Sequence, residues 1–329
     1  ADAVAIEIKN AYADFNFANL QWQIGTQGFA DATGGFVYND DMTGLKINYR
    51  ADNYVASLRW IRWYEGYGTT QFGGEGNGVD YDAYDFIFNY KAGNHRFAPF
   101  ITYMRTNDGG GFDGTAGEPQ DLYFIGINYA LKFGNYNWWV NAIYEGGNVD
   151  DQTDVSAYVF DTNLSGKWGQ WSAFFRFSYV SGDDDTTDND EEGWYLPSGK
   201  IGSVSNLSEL WGDGKFDVTK PMGSPGKEPR NWMHVGLGGA YKLSKAWNFK
   251  LAYWYLNAAQ DGPNSEDALT DTNIGSEIDL WATWSIMKAL KMDFIFSYLI
   301  AGDAIEGQMP AGTSTEDPWE LGAQLSLKF

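Results

Sequence analysis

The chain has 329 residues, with 44 Asp and Glu against 22 Lys and Arg and a formal net charge of −22; so acidic a balance excludes nucleic acid, whose binding relies on neutralising phosphates with Lys and Arg. Aromatics at 17% and 40 glycines exclude a disordered acidic chain, and the lack of cysteine excludes disulfides and thiolate chemistry. No run of about 18 apolar residues is present to make a transmembrane helix.

Taken in chain order, the dominant pattern is period two, the signature of strands. Residues 2–17 alternate except for a slip at Lys9–Ala13, which predicts a bulge. Strands are predicted over 20–29, 43–51, 53–64 and 81–92. The segment 95–106 is also a strand, but Pro99 and mixed polarity leave its outward face open. In 120–133, Tyr123, Ile125, Ile127, Tyr129, Leu131 and Phe133 share one face, and Gly126, Asn128, Ala130 and Lys132 the other. In 135–147, Tyr136, Trp138, Val140, Ala142 and Tyr144 alternate with Asn137, Trp139, Asn141 and Ile143. The pattern continues over 153–165, 168–181, 230–243, 246–258, 274–287, 290–302 and 317–329, which makes fifteen strands. No helical period and no linker is found, so one domain over 1–329 is expected.

The connections alternate in length. Short ones fall at 18–19, 51–52, 92–94, 134–135, 166–167, 244–245 and 288–289. Long ones, mostly rich in Gly, Asp, Asn and Thr, fall at 30–42, 65–80, 107–119, 148–152, 182–229, 259–273 and 303–316. Hairpin turns then gather on one side and long loops on the other. The strands, at about 10–14 residues, exceed the usual 5–6 of soluble sheets and match the length that crosses a bilayer at a tilt. Aromatics near the ends of the apolar faces suit two interfacial girdles. In lipid every backbone group must be paired, so such a sheet must close. The expected fold class is all-β, a transmembrane antiparallel β-barrel of the outer-membrane type. Bacterial single-chain barrels have even strand numbers, so fifteen strands predict an odd number preceding Ala1. No leader is visible at Ala1, which means a cytosolic chain or a leader already removed.

"AIEIKNAYADFNFANLQWQIGTQGF" followed by "VYNDDMTGLKINY" resembles the homotrimeric outer-membrane porins of deltaproteobacteria. The matching residues are Glu7, Ile8, Lys9, Ala11, Tyr12, Asp14, Phe15, Gly25, Gln27, Gly28, Asn39, Asp40, Asp41 and Gly44. The resemblance implies a homotrimer and a barrel of 16–18 strands, with 18 favoured because the family has roughly three strands before this stretch. Beyond it the likeness is architectural. The terminal Phe329 resembles the C-terminal signal that hands barrels to the outer-membrane assembly machinery.

Strand directions place candidate pore-lining charges. Asp85, Glu145, Glu277, Asp279 and Glu320 fall toward the long loops, and Arg59 and Arg176 near mid-height. Arg50, Lys91, Lys132, Lys242, Lys250, Lys291 and Lys328 fall toward the short turns, either as part of the lumen field or as markers of the interface. His234 is expected as a polar lumen residue. Opposed charges in a narrow lumen orient and filter solutes. The 182–229 loop is too long for a bare connection. Its Trp194, Tyr195 and Trp211 need somewhere to pack, either folded inward as a constriction or in an outer cap or trimer contact.

The run "DDDTTDNDEE" (183–192) fails the spacing of a calcium loop. It is expected as a solvated outer loop, with loose divalent binding as the alternative. Two histidines, His95 and His234, with no Ser–His–acid grouping, give catalysis nothing to stand on. No cofactor and no metal site is expected. The function expected is an outer-membrane porin of a Gram-negative bacterium, passing small hydrophilic solutes and ions by passive diffusion. Its neighbours would be outer-membrane lipid and lipopolysaccharide. The alternatives are a substrate-specific channel or a structural or adhesive barrel.

Overall fold

The computed structural model describes residues 10–65, 80–106, 120–149, 152–195, 208–211, 230–262, 269, 271–308 and 317–328, excepting the side chains of 63–65, 80 and 306–308. The expectations on Glu7, Ile8, Lys9, Phe329 and most of 182–229 lie outside these residues. The chain folds as two compact units: residues 1–129, 143–156 and 195–202, and residues 130–142, 157–194 and 203–329.

The first unit holds β1 (Ala11–Phe17), β2 (Leu20–Ala30), β3 (Asn39–Arg50), β4 (Tyr54–Glu65), β5 (Asp80–Ala92) and β6 (His95–Thr106). Strands β7 (Asp121–Phe133), β8 (Tyr136–Asn148) and β9 (Asp154–Trp168) give residues to both units. The second unit adds β10 (Trp171–Val180), β11 (Asp190–Glu191), β12 (Trp232–Tyr241), β13 (Trp247–Asn257), β14 (Asn273–Met287), β15 (Leu290–Ala301), α1 (Asp303–Gln308) and β16 (Trp319–Leu327). Each long strand is next to its successor in an antiparallel sheet, and the two-residue β11 pairs with β9.

Local chemistry sets the turns. Ala18 and Asn19 take φ of 53° and 62°, the left-handed pair that a tight hairpin needs. The turn expected at 166–167 lies instead at Gly169–Gln170. Strand β9 runs on through Trp168, and Gly169 supplies the φ of 60°. The bulge expected at Lys9–Ala13 is not seen from Ala11 onward, where the β1–β2 register is continuous. Register shifts occur at Arg62/Tyr64, Leu256/Asn257 and Ser285/Met287. Strand β3 begins at Asn39, ahead of the expected 43, so the loop before it shrinks to 31–38. The short helix α1 was not expected, since six residues are too few to show a period.

The two faces of the sheet invert the habit of a soluble protein. In the first unit Ile24, Leu58, Tyr84, Phe86, Ile101 and Ile125 are exposed, while Gln27, Asn48, Ser57, Asp85 and Thr102 are buried. This settles the outward face of 95–106 as the one carrying Phe97, Ile101 and Tyr103. In the second unit Leu237, Leu251, Tyr253, Leu280, Phe296 and Leu321 are exposed, while Asp161, Ser178, His234, Glu277, Asp279 and Ser297 are buried. A continuous exposed apolar face marks a surface made for a non-aqueous neighbour.

Aromatic rings pair at both ends of the strands. At the short-turn end of the first unit Tyr54 lies 5.9 Å from Tyr49 and 5.2 Å from Phe88. In the second unit Trp171 and Tyr241 lie 4.3 Å apart, and Trp247 stacks on Trp284 at 5.5 Å. At the long-loop end Tyr84–Tyr103 and Tyr123–Tyr144 are 6.4 and 6.0 Å apart. Two glycines make room on the buried face. A Cβ on Gly44 would lie 2.3 Å from the Trp60 carbonyl oxygen, and one on Gly236 would lie 2.2 Å from the Trp254 ring.

Candidate functional site

The functional candidate is the buried polar face. In the first unit, strand register sets Asp14, Gln23, Lys46, Arg59, Asp85 and Thr102 directly opposite one another on six successive strands. Arg59 Nη1 lies 3.4 Å from Asp85 Oδ2 and donates to the Ala30 carbonyl at 2.7 Å. Thr102 Oγ1 donates to Asp85 at 3.2 Å. Lys46 Nζ donates to the Gly28 carbonyl at 3.2 Å and sits 4.7 Å from the Phe29 ring centre. Asp85 was expected nearer the long loops than Arg59. The register makes the two level, so at this point the charges oppose each other across the sheet and not along the strands.

A short loop closes over this pair. Asp31 Oδ1 accepts the backbone N–H groups of Thr33, Gly34 and Gly35 at 2.6, 2.9 and 3.3 Å, and the Thr33 hydroxyl. Its Oδ2 accepts those of Val37 and Tyr38 at 2.7 and 2.9 Å. The carboxylate therefore organises residues 31–38 from within. Phe36, Val37 and Tyr38 are fully buried. The Tyr38 hydroxyl donates to the Asp85 carboxylate. Burial, followed by the negative charge of Asp85, holds this hydroxyl well above its usual value, so it remains a donor at neutral pH.

The second unit carries two polar clusters. Arg176 donates through Nε and Nη2 to both oxygens of Asp161, each at 2.9 Å, and its guanidinium lies 5.4 Å from the Trp139 ring. Such a two-point pair is geometrically selective. Beside it Trp232 Nε1 donates to Ser178 Oγ at 3.1 Å. His234 stacks on Trp232 at 4.9 Å, and neither ring nitrogen has a hydrogen-bond partner among the described residues. Arg176 is level, through Gly236 and Trp254, with Glu277, which was expected nearer the long loops. In the other cluster Glu277 accepts the N–H groups of Glu209, Leu210 and Trp211 at 2.8, 2.7 and 3.1 Å. Glu209 in turn accepts Trp281 Nε1 at 2.6 Å. Lys250 Nζ lies 3.8 Å over the Trp281 ring, in the field of Asp279 and Glu209.

The long loop touches both units at separate points. Trp194 is buried in the second unit, and its N–H donates to the Ser181 carbonyl at 3.2 Å. Tyr195 belongs to the first, and its N–H donates to Glu145 at 3.0 Å. The run 183–192 is not uniformly solvated: Asp183 is buried and accepts the Asp185 N–H at 2.9 Å. Burial pushes the carboxyls of Asp183 and Glu191 up. Among the described residues no group of three His, Cys, Asp or Glu has the arrangement of a metal site.

Asp31, Tyr38, Asp161 and Glu209 belong to these clusters and escaped the sequence reading. "DATGG" at 31–35 carries a local signal, an Asp followed by Thr and two glycines that can wrap their N–H groups around it. Asp161 carried none, because its partner Arg176 lies on the neighbouring strand.

No family model and no curated protein sequence matches the chain. Solved structures do. A doubly substituted variant of OccD1 (OprD) superposes with a TM-score of 0.58 at 10% identity, over 95% of this chain and 75% of that one. Pseudomonas aeruginosa OpdK, solved with vanillate, gives 0.55 at 10% identity, over 95% and 76%. Acinetobacter baumannii OccAB3 gives 0.54 at 10% identity, over 97% and 76%. At this identity the likeness speaks for the fold, and it is the antiparallel β-barrel fold of the outer-membrane porins.

Proposed function

We propose that the chain is an outer-membrane channel that passes small hydrophilic solutes and ions passively. One observation carries this: the exposed face is apolar and bounded by aromatic rings, while the buried face holds Arg59, Asp85, Asp161, Arg176, Glu277 and Asp279. That polarity suits lipid outside and a wet lumen inside. The same lumen groups supply no activated nucleophile, and the chemistry they support is selection by charge and size.

A solute-restricted channel is favoured over a wide one. Residues 31–38 fold onto the buried face, and the 209–211 backbone is held against Glu277. Both narrow the space a solute can use, and Trp194, Tyr195 and Trp211 are proposed to contribute to the narrowing. OpdK, solved with vanillate, suggests small organic acids as one class to try.

Reconstitution into planar bilayers tests the reading. Stepwise conductance and a reversal potential under a salt gradient are expected, with sugar-swelling rates that fall steeply with solute size. Folded protein that inserts without conducting would refute it. The homotrimer implied by the resemblance predicts an SDS-resistant trimer before boiling.

A further inference from the structure

Acids outnumber bases two to one in the whole chain, yet one end of the second unit reverses this. At the short-turn end of β9–β16 stand six exposed lysines, Lys167, Lys242, Lys245, Lys288, Lys291 and Lys328. None has an ion pair among the described residues. Residues 163–174, 238–250, 282–293 and 322–328 contain one carboxylate, Asp293, which is buried and accepts the Thr283 hydroxyl at 2.6 Å. The lysines are therefore exposed at this end with no carboxylate paired to them among the described residues.

On the exposed face just inward of these turns lies an apolar hollow of about 510 Å³. It exists because Gly239 and Ala282 present almost no side chain where their cross-strand neighbours present Leu251, Phe249 and Phe294. Trp171 and Tyr241 lie at its turn-ward end. Strands β13 and β14 are neighbours, and their stacked indoles Trp247 and Trp284 lie just before the two turns that carry Lys245 and Lys288. Apolar hollow, indole layer and ammonium groups succeed one another along the strands, in the order of acyl chain, interface and phosphate in a lipid.

We infer that this end of the second unit binds an anionic phospholipid, with an acyl chain in the hollow and its phosphate on Lys245 and Lys288. The inference rests on the exposed face being the lipid-facing one. A second copy of the chain fits poorly, because it would bring lysine ends together without counter-charge. A zwitterionic lipid would fill the hollow but leave the lysines uncompensated.

Native mass spectrometry of the folded protein in detergent tests this, with phosphatidylglycerol and phosphatidylcholine supplied in equal amounts. Preferential retention of phosphatidylglycerol is expected. The double variant Lys245→Gln/Lys288→Gln should lower its retention on the order of tenfold, from the attraction each interfacial lysine exerts on anionic lipid. Ala282→Phe, which fills the hollow, should lower retention of both lipids. Equal retention of the two lipids by the parent chain overturns the inference, as does retention untouched by both variants. Planar-bilayer conductance is measured on the same preparations and should be unchanged in the lysine variant. A chain that binds phosphatidylglycerol but does not conduct would overturn the channel and leave the lipid site standing.

Discussion

Replacing Asp31 with Asn should release the 31–38 loop. The carboxylate holds five backbone N–H groups, three on Oδ1 and two on Oδ2. An amide keeps one oxygen, and its best orientation retains the three N–H contacts on that side. The other two N–H groups then face an NH₂ that can only donate. Hydrogen bonds to a charged acceptor contribute about 1.5–3 kcal/mol each, so the loss is roughly 3–6 kcal/mol before any rearrangement. Ordering eight backbone residues costs about 1–2 kcal/mol per residue. The loop has only the burial of Phe36, Val37 and Tyr38 and the Tyr38–Asp85 bond to offset that cost once its internal anchor fails. Chymotrypsin offers a direct assay, because Phe36 and Tyr38 are fully buried in the parent chain. The Asp31→Asn variant should be cut after these residues, with the fragments identified by mass, and should show raised single-channel conductance. If it resists cleavage there and conducts like the parent, the loop is not held by Asp31 and does not narrow the channel.

Arg176→Met leaves Asp161 buried and unpaired, which should destabilise the fold by about 3–5 kcal/mol in urea titrations, with Arg176→Met/Asp161→Asn recovering part of the loss. Tyr38 titrates well above its usual value near 10 when folded, so the folded chain holds its proton where the unfolded chain loses it. Stability should therefore be fully present below pH ~10 and fall above it, and Tyr38→Phe should remove that alkaline loss in thermal melts. Asp183 and Glu191 are pushed up by burial, so the closed 183–193 segment binds more protons than the open one above the usual carboxylate range. Its closing should weaken as pH rises through the raised values, and corrected hydrogen exchange at the Asp185 and Gly193 amides should be slower at the acid side. Gly236→Ala places a methyl against the Trp254 ring and should cost about 1–3 kcal/mol through overpacking, read from the shift in the urea midpoint.

The strands were legible because lipid-facing and lumen-facing chemistry differ so sharply that alternation survives in the sequence. Tyr123, Ile125 and Leu237, Leu251 show it in both halves of the chain. Turns were nearly as legible, and the one misplaced, at Gly169–Gln170, competed with a second glycine dipeptide three residues earlier. What escaped depended on contacts between distant positions. Asp85 meets Tyr38 across 47 residues, and its level with Arg59 follows from strand register, which period two alone does not fix. Trp194, Tyr195 and Trp211 were marked by being apolar inside a polar loop. Yet several contacts that hold this loop come from the N–H groups of Trp194, Tyr195 and 209–211, which any residue but proline could supply.

The acidity of the chain and the packing of its loops are linked. A buried carboxylate needs donors, and with 22 basic residues against 44 acidic ones half of the acids must go without a cation of their own. Asp161 and Asp85 do have one, in Arg176 and Arg59. Asp31 and Glu277 take backbone N–H groups instead, from residues 33–38 and from 209–211, and Glu145 accepts that of Tyr195. Loop backbone thus serves where lysine or arginine would otherwise stand. Mutating such a carboxylate changes the shape of the narrow region as well as its charge. A selectivity change in Glu277→Gln therefore has two sources, and only Glu277→Asp, which keeps the charge and shortens the reach to the 209–211 amides, separates them.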